Sequence, residues 1–352
     1  MPDISMVETT SMSRRQALAS ALPTWLSQFR RITFRTRILP LPQELLTYLE
    51  SDSIYLGAGA GQRDDASSEG SWVDGSSDET SAHEGEDETS DEVPVHESEA
   101  FVEFTKAMKE VIDELGGAVF PKFPWSAPTD ARWISTTGNL RCTRPEDVLL
   151  LLKASDRLSH DMNLSKSLSS SSSWRPSLIL RKWHDLNPSM EFRCFLRPGA
   201  YPIVGVSQRD PAYYDYLEGL RGTLETHITA FLRDEIIPVL MGQDDGAEGS
   251  LGHVVDVYYE QSSGKVWLID VNPWDPSSTL PLLFTWPEIL EASEPLGFRF
   301  VRSQADASAF YGVDPLNAYP QEAVAMSMNS TPADLARWAN ISDLSNIANI
   351  GQ

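Results

Sequence analysis

The stretch from His253 to Asn272 constrains the fold more than any other part of this chain. His253-Val-Val-Asp-Val-Tyr-Tyr-Glu260 and Lys265-Val-Trp-Leu-Ile-Asp-Val-Asn272 are rich in β-branched and aromatic residues with polar residues interleaved, and Gln-Ser-Ser-Gly between them is a hairpin turn signal. With Ser262–Gly264 as a three-residue loop, Gln261 faces Lys265 and Asp256 comes directly opposite Asp270. Side chains alternate along a strand, so Asn272 shares the face of Asp270. Val255, Val257 and Tyr259 then point the other way, against Trp267, Ile269 and Val271. Facing carboxylates repel and weaken a hairpin, so a positive group belongs between them. Asp256, Asp270 and Asn272 are hard oxygen donors that suit Mg²⁺, an ion that commonly arrives with substrate phosphates. The alternative is a strand edge where the two carboxylates diverge into solvent.

A site for a metal and phosphates also needs cations. Lys122, Lys182, Arg193 and Arg209 all sit in or at the end of apolar strand-like segments, where an unpaired charge is costly. Each alone reads as a surface or ion-paired residue; four beside an acidic pair in one strand-rich region point to an anion site. His184, next to Trp183, is a weaker candidate for contact with a nucleotide. Familiar alternatives are absent: the sequence has no Gly-x-x-x-x-Gly-Lys-Ser/Thr loop, Gly-x-Gly-x-x-Gly fingerprint, His-Glu-x-x-His or Gly-x-Ser-x-Gly elbow. Cys142 and Cys194 cannot build a disulfide framework, and Cys194 reads as a small core residue.

Further strands are expected at 118–123, 178–183, 191–197 and 203–209. Helices are expected at Pro42–Leu49, over 101–115 from the 3.6-residue period of Phe101, Phe104, Met108, Val111, Ile112 and Leu115, at Pro145–Arg157, and across Pro211–Leu240. Ser165–Ser173 reads as a serine-rich loop, and a short helix is possible near Ala333–Ala339. Clustered strands with intervening helices indicate an α+β fold with antiparallel sheets.

Charge is uneven. Of 352 residues, 51 are acidic and 28 basic, a net −23, yet residues 63–99 alone hold 14 acidic residues and one arginine. That segment is too polar to offset chain entropy and reads as a disordered, solvated insert. Ser77 and Ser90 there resemble acidophilic kinase sites, and Trp72 could anchor a docking motif. Residues 9–43 have six arginines and no acid, the composition of some transit peptides, although Asp3 and Glu8 precede the run and Arg30–Leu41 reads as extended. The acidity argues against sequence-independent nucleic-acid binding, and no apolar run approaches the ~20 residues of a membrane span. The organisation expected is an N-terminal segment 1–61 packing on the fold, an acidic insert 62–99, a two-lobed core 100–300 and a tail 301–352. The chain is expected to be cytoplasmic.

Phe120-Pro-Lys-Phe-Pro-Trp-Ser-Ala-Pro128, Leu180-Arg-Lys-Trp183, Glu191-Phe-Arg-Cys-Phe195, Ser207-Gln-Arg-Asp210 and Val266-Trp-Leu-Ile-Asp-Val-Asn-Pro273 closely resemble, in order, the eukaryotic cell division cycle protein 123 family. Ile38–Pro42 and Leu283–Trp286 fit as well. The resemblance spans roughly residues 25–290. It implies an ATP-grasp fold, with ATP and Mg²⁺ in a cleft between two lobes built on antiparallel sheets. It also implies an assembly chaperone for translation initiation factor 2, binding its γ subunit and promoting its joining to α and then β. The protein would be monomeric alone, with no direct contact to nucleic acid. By position, Lys122, Trp125, Ser126, Ala127, Asp130, Arg181, Lys182, Trp183, His184, Arg193 and Arg209 would bind ATP, and Asp256, Asp270 and Asn272 would hold Mg²⁺. The competing function is an ATP-grasp ligase that activates a carboxylate as an acyl phosphate. An interaction protein with a relict site is disfavoured, since all three candidate metal ligands are present. Asp270→Ala is expected to leave the fold intact by relieving the repulsion at the hairpin.

Overall fold

The computed structural model describes residues 12–51, 98–169, 174–242 and 251–311. The acidic insert up to residue 97, with Trp72, Ser77 and Ser90, lies outside the described residues, as does the expected helix near 333–339.

Among the described residues, eight strands form two sheets. The smaller contains β1 (Thr36–Pro40), β2 (Val119–Lys122) and β3 (Ser177–Lys182), antiparallel in the order β1-β3-β2. The larger contains β4 (Glu191–Leu196), β5 (Ile203–Gln208), β6 (His253–Glu260), β7 (Lys265–Pro273) and β8 (Phe298–Arg299), in the order β7-β6-β4-β5-β8. Only β5 and β8 run parallel. The expected mixed α+β fold with antiparallel sheets is what the chain adopts.

The hairpin reaches its expected pairing by another route. Glu260, not Gln261, pairs with Lys265, so the loop has one residue more than expected, with Gly264 at φ 68° closing it. A β-bulge at Ile269 then absorbs the offset, and Asp256 still faces Asp270. On the turn side of the bulge the faces are exchanged relative to expectation. Val257 faces Leu268 and Tyr259 faces Val266, and it is Leu268 that enters the core rather than Trp267 or Ile269.

Helices cover both sheets. α3 (Gln43–Glu50), α4 (Glu99–Glu114), α5 (Pro145–Lys153) and α6 (Asp156–Ser169) pack with the smaller sheet around Tyr48, Phe101, Met108, Ile112, Leu152, Leu178 and Leu180. α4 ends where Gly116 and Gly117 adopt φ 100° and 83°, as the glycine pair after its apolar stripe predicts. The expected helix 145–157 is broken at Ala154-Ser155. Asp130 accepts hydrogen bonds from Ser155 Oγ (2.6 Å) and Arg157 N (3.1 Å) and so starts a new helix there. That helix continues through Ser169, into the stretch expected as a serine loop. Leu168 anchors it in the core, and the Ser167 and Ser169 hydroxyls bond to the carbonyls of Leu164 and Ser165.

One face of the larger sheet is covered by α2 (Leu22–Phe29) and α7 (Leu217–Phe231), with Leu22, Trp25, Phe29, Leu224 and Ile228 packed on Phe192, Cys194, Val255 and Val257. α7 begins only at Leu217, later than expected, and widens into a π turn over Leu232–Ile236 before α8 (Ile237–Leu240). Pro238, which lacks an N–H, makes the wider turn the less costly path. On the opposite face, Phe195 and Val254 meet Phe284, Trp286 and Ile289 of α9 (Trp286–Glu291). α10 (Gln304–Tyr311) closes the described chain.

The arginine-rich N-terminus therefore supplies core. α1 (Arg14–Ser20) and α2 were not legible as helices, yet Trp25 is 2% exposed, with its indole N–H bonded to Ser20 O at 3.2 Å. Trp25→Ala should lower stability by about 3–5 kcal/mol in urea unfolding. A loss below about 1 kcal/mol would show that these helices are an appendage.

Candidate functional site

A row of residues crosses the larger sheet on one face: Asp270 on β7, Asp256 on β6, Arg193 on β4 and Ser207 on β5. Strand pairing alone puts a cation next to the two facing carboxylates. Arg193 grips Asp256 in two parallel contacts, Nε to Oδ1 and Nη2 to Oδ2, both 2.8 Å. Asn272 Nδ2 donates to the same Oδ2 at 3.2 Å, and Arg209, ion-paired to Glu191, comes within 3.5 Å of it. Burial pushes the Asp256 carboxyl up, but the charge and hydrogen bonds of Arg193, with Arg209 and Asn272, outweigh this and hold it below the usual carboxylate range.

The second carboxylate takes its cation from the other sheet. Lys122 on β2 is 1% exposed and donates from Nζ to Asp270 Oδ2 at 2.5 Å. Burial lowers its pKa, although Asp270 opposes the change. Arg181 on β3, also 1% exposed, donates to Ile269 O (2.5 Å) and Thr33 Oγ1 (2.7 Å) and lies over the rings of Phe34 and Phe120. Burial pulls it down to about 10, and its Nε has no hydrogen-bond partner. These contacts shape the bulge: Arg181 holds the carbonyl of the extra residue, and Thr33 Oγ1 bonds to Leu268 O at 2.7 Å.

The remaining expected residues divide. Trp125, Ser126 and Ala127 follow β2 as a loop adjoining Lys122, but the amides of Trp125 and Ser126 point to Asp161 of α6. Lys182 ends β3, and Trp183 and His184 continue from it. Lys182 reaches over the Gly116 turn, Trp183 Nε1 bonds to Asp185 at 2.9 Å, and the His184 ring lies 5.0 Å from that of Phe34. Asp130 is committed to the start of α6. Sequence reasoning missed Asp161, Glu191, Thr33 and the carbonyl of Leu280, which accepts from Arg193 Nη1 at 2.9 Å. For Asp161 a signal existed: it lies on the stripe Leu158, Met162, Ser165 and Leu168, an acid among positions that face inward.

Residues 25–327 match the protein-family model described as D123. The chain belongs to the D123 family. Relatives include a protein of Aspergillus oryzae, 34% identical over 305 residues, which cover 82% of this chain and 68% of that one. Another, from Xenopus laevis, is 35% identical over 289 residues, covering 79% and 78%. Both are named translation initiation factor eIF2 assembly protein. The solved structure of Cdc123 from Schizosaccharomyces pombe superimposes with a TM-score of 0.60 at 30% identity, covering 83% of this chain and 99% of that one. The resemblance read from the motifs is thus a family membership.

The site's chemistry follows from its charges: Lys122, Arg181, Arg193 and Arg209 gather about Asp256, Asp270 and Glu191. Lys122 and Arg181 are nearly solvent-free, whereas Arg193 and Arg209 keep exposed guanidinium surface and are the cations an added anion could reach. Asp270 Oδ1 accepts only from the amide of Val271, and Asn272 Oδ1 is unengaged among the described residues, so hard oxygens are open for a cation. Asp270→Ala will not simply relieve repulsion, because it strands Lys122 as a buried charge.

Arg193→Ala leaves Asp256 buried without its main partner and should cost about 3–5 kcal/mol in urea unfolding at pH 7. Because the folded pKa of Asp256 is depressed, its stabilising contribution is complete above the ordinary carboxylate value of about 4 and fades as pH falls through the lower folded value. The deficit of Arg193→Ala relative to the wild type should therefore shrink on acidification below about pH 4.

Proposed function

We propose that this protein is an assembly factor for translation initiation factor 2 that binds ATP and Mg²⁺ where its two sheets meet. In this reading the fold is of the ATP-grasp type, and the chain binds the γ subunit and promotes its joining to α and then β. The observation that carries the nucleotide half is the bridging of the sheets by Lys122 and Asp270, beside a second carboxylate held by Arg193. The names of the relatives in Aspergillus and Xenopus support the assembly half.

Lys122, Arg193 and Arg209 would meet the phosphates, with Arg181 adding positive potential from beneath. Asp270 and Asn272 offer Mg²⁺ open oxygens, and Asp256 completes the set by exchanging part of its contact with Arg193. The metal neutralises phosphate charge when bound. The chain's own residues orient the nucleotide and, through Lys122 and Asp270, join the two sheets. Because Lys122 and Asp270 belong to different sheets, a nucleotide between them changes how the sheets meet and hence the surface offered to the γ subunit.

Titration calorimetry should show Mg²⁺-dependent ATP binding by the wild type. Asp270→Asn, which keeps an oxygen acceptor for Lys122, should weaken that binding at least tenfold. The γ subunit should be captured better with ATP than without. Failure of the wild type to bind ATP would refute the nucleotide half, and failure to capture the γ subunit from purified subunits would refute the assembly half.

A further inference from the structure

Asp161 is a buried carboxylate, 2% exposed, that the site described so far does not use. It projects from the inward stripe of α6, and every hydrogen bond it receives comes from the loop after β2. Oδ2 accepts from Ser126 N at 2.7 Å and Trp125 N at 3.3 Å, and Oδ1 accepts from Ser126 Oγ at 3.0 Å. The same loop is tied from the other side by Leu22 N to Pro124 O (2.9 Å) and by Trp125 Nε1 to Ala17 O (2.7 Å). Phe123 N closes it internally on Ser126 O at 2.8 Å. The Trp125 ring stacks on Trp174, centroids 5.4 Å apart, and Trp174 Nε1 bonds to Ser165 one turn along α6 from Asp161.

A carboxylate this enclosed is costly unless its lone pairs are met and a cation is near. The loop supplies three donors, and Lys122, the residue just before the loop, is the cation that interacts with it; burial still holds the Asp161 carboxyl above the usual range. Lys122 is thus bonded to Asp270 and also attracted electrostatically by Asp161.

We propose that Asp161 is a positioning residue: it fixes the Phe123–Ala127 loop from beneath and thereby sets the Lys122 amine at the junction of the sheets, ready for phosphate. The second clause rests on the nucleotide reading above. The loop is then preformed, since Asp161 already consumes the amides of Trp125 and Ser126. Asp161 itself touches no ligand.

Two readouts separate positioning from general stability. The stacked indoles of Trp125 and Trp174 should give an exciton couplet in circular dichroism, assigned by its loss in Trp174→Phe, and calorimetry gives the affinity for ATP with Mg²⁺. Asp161→Ala should abolish the couplet and weaken ATP binding about tenfold or more. Asp161→Asn can accept from both amides and donate to Ser126 Oγ, so it should keep the couplet and recover most of the affinity. Ser126→Ala, which removes one donor and no charge, should give a smaller loss of affinity and serves if Asp161→Ala does not fold. An intact couplet in Asp161→Ala, or a lost couplet with unchanged ATP affinity, would overturn the proposal. A wild type that binds no ATP would refute the nucleotide reading instead, and the couplet would then decide alone whether Asp161 holds the loop.

Discussion

Two carboxylates that face each other across neighbouring strands weaken the pairing unless cations offset their repulsion, and here the two cations come from different places. Asp256 is satisfied within its own sheet by Arg193, its cross-strand neighbour. Asp270 is satisfied by Lys122, which belongs to the other sheet. Local repulsion at one hairpin is thereby converted into a tie between the halves of the molecule. The hydrogen-bonded partner of each lies in the other half, so separating the sheets would break the Lys122–Asp270 pair and leave both groups with weaker, more distant attractions to Asp161 and Arg209. Arg181 reinforces the tie through neutral groups, the carbonyl of Ile269 and the hydroxyl of Thr33.

The bulge at Ile269 shows how packing and charge were reconciled. A hairpin of regular register and this turn could not place Asp270 opposite Asp256 while also burying Leu268, Val271, Val255 and Val257 on one face. One extra residue lets both conditions hold, and its carbonyl becomes the acceptor for a buried guanidinium. A bulge beside the charged row is an arrangement common next to functional sites.

Much of this was legible in the chain. Six strands of the two sheets, the facing pair and the cations near it follow from alternation and from the cost of burying charge. What was not legible depended on distant partners. The turn length was misjudged by one residue because the chemistry of Gln-Ser-Ser-Gly admits either loop, and only the bulge brought the register back. α1 and α2 were hidden because arginines flank a short apolar face whose partners, such as Val257 and Leu268, lie over two hundred residues away. Asp161 was visible as an acid on an apolar stripe, but its role became evident only when α6 was seen to pack under the loop it holds. The split between α5 and α6 was unreadable for a similar reason, since it depends on Asp130 reaching Ser155.

The docking of the first two helices has a consequence for biosynthesis. Gln16 Nε2 bonds to Trp274 O at 2.9 Å, across a sequence separation of 258 residues, and Leu22, Trp25 and Phe29 complete a core that also contains Leu268 and Phe300. These two helices are made more than two hundred residues before β6 and β7, and their apolar face stays uncovered until those strands exist. Contacts of such long range slow closure and expose incomplete chains to association. The smaller sheet must wait for Arg37 to find Leu180, whereas the hairpin needs only its own residues. During synthesis the smaller sheet, whose last strand ends at Lys182, can therefore close first, while the arginine-flanked α1 and α2 wait for β6 and β7.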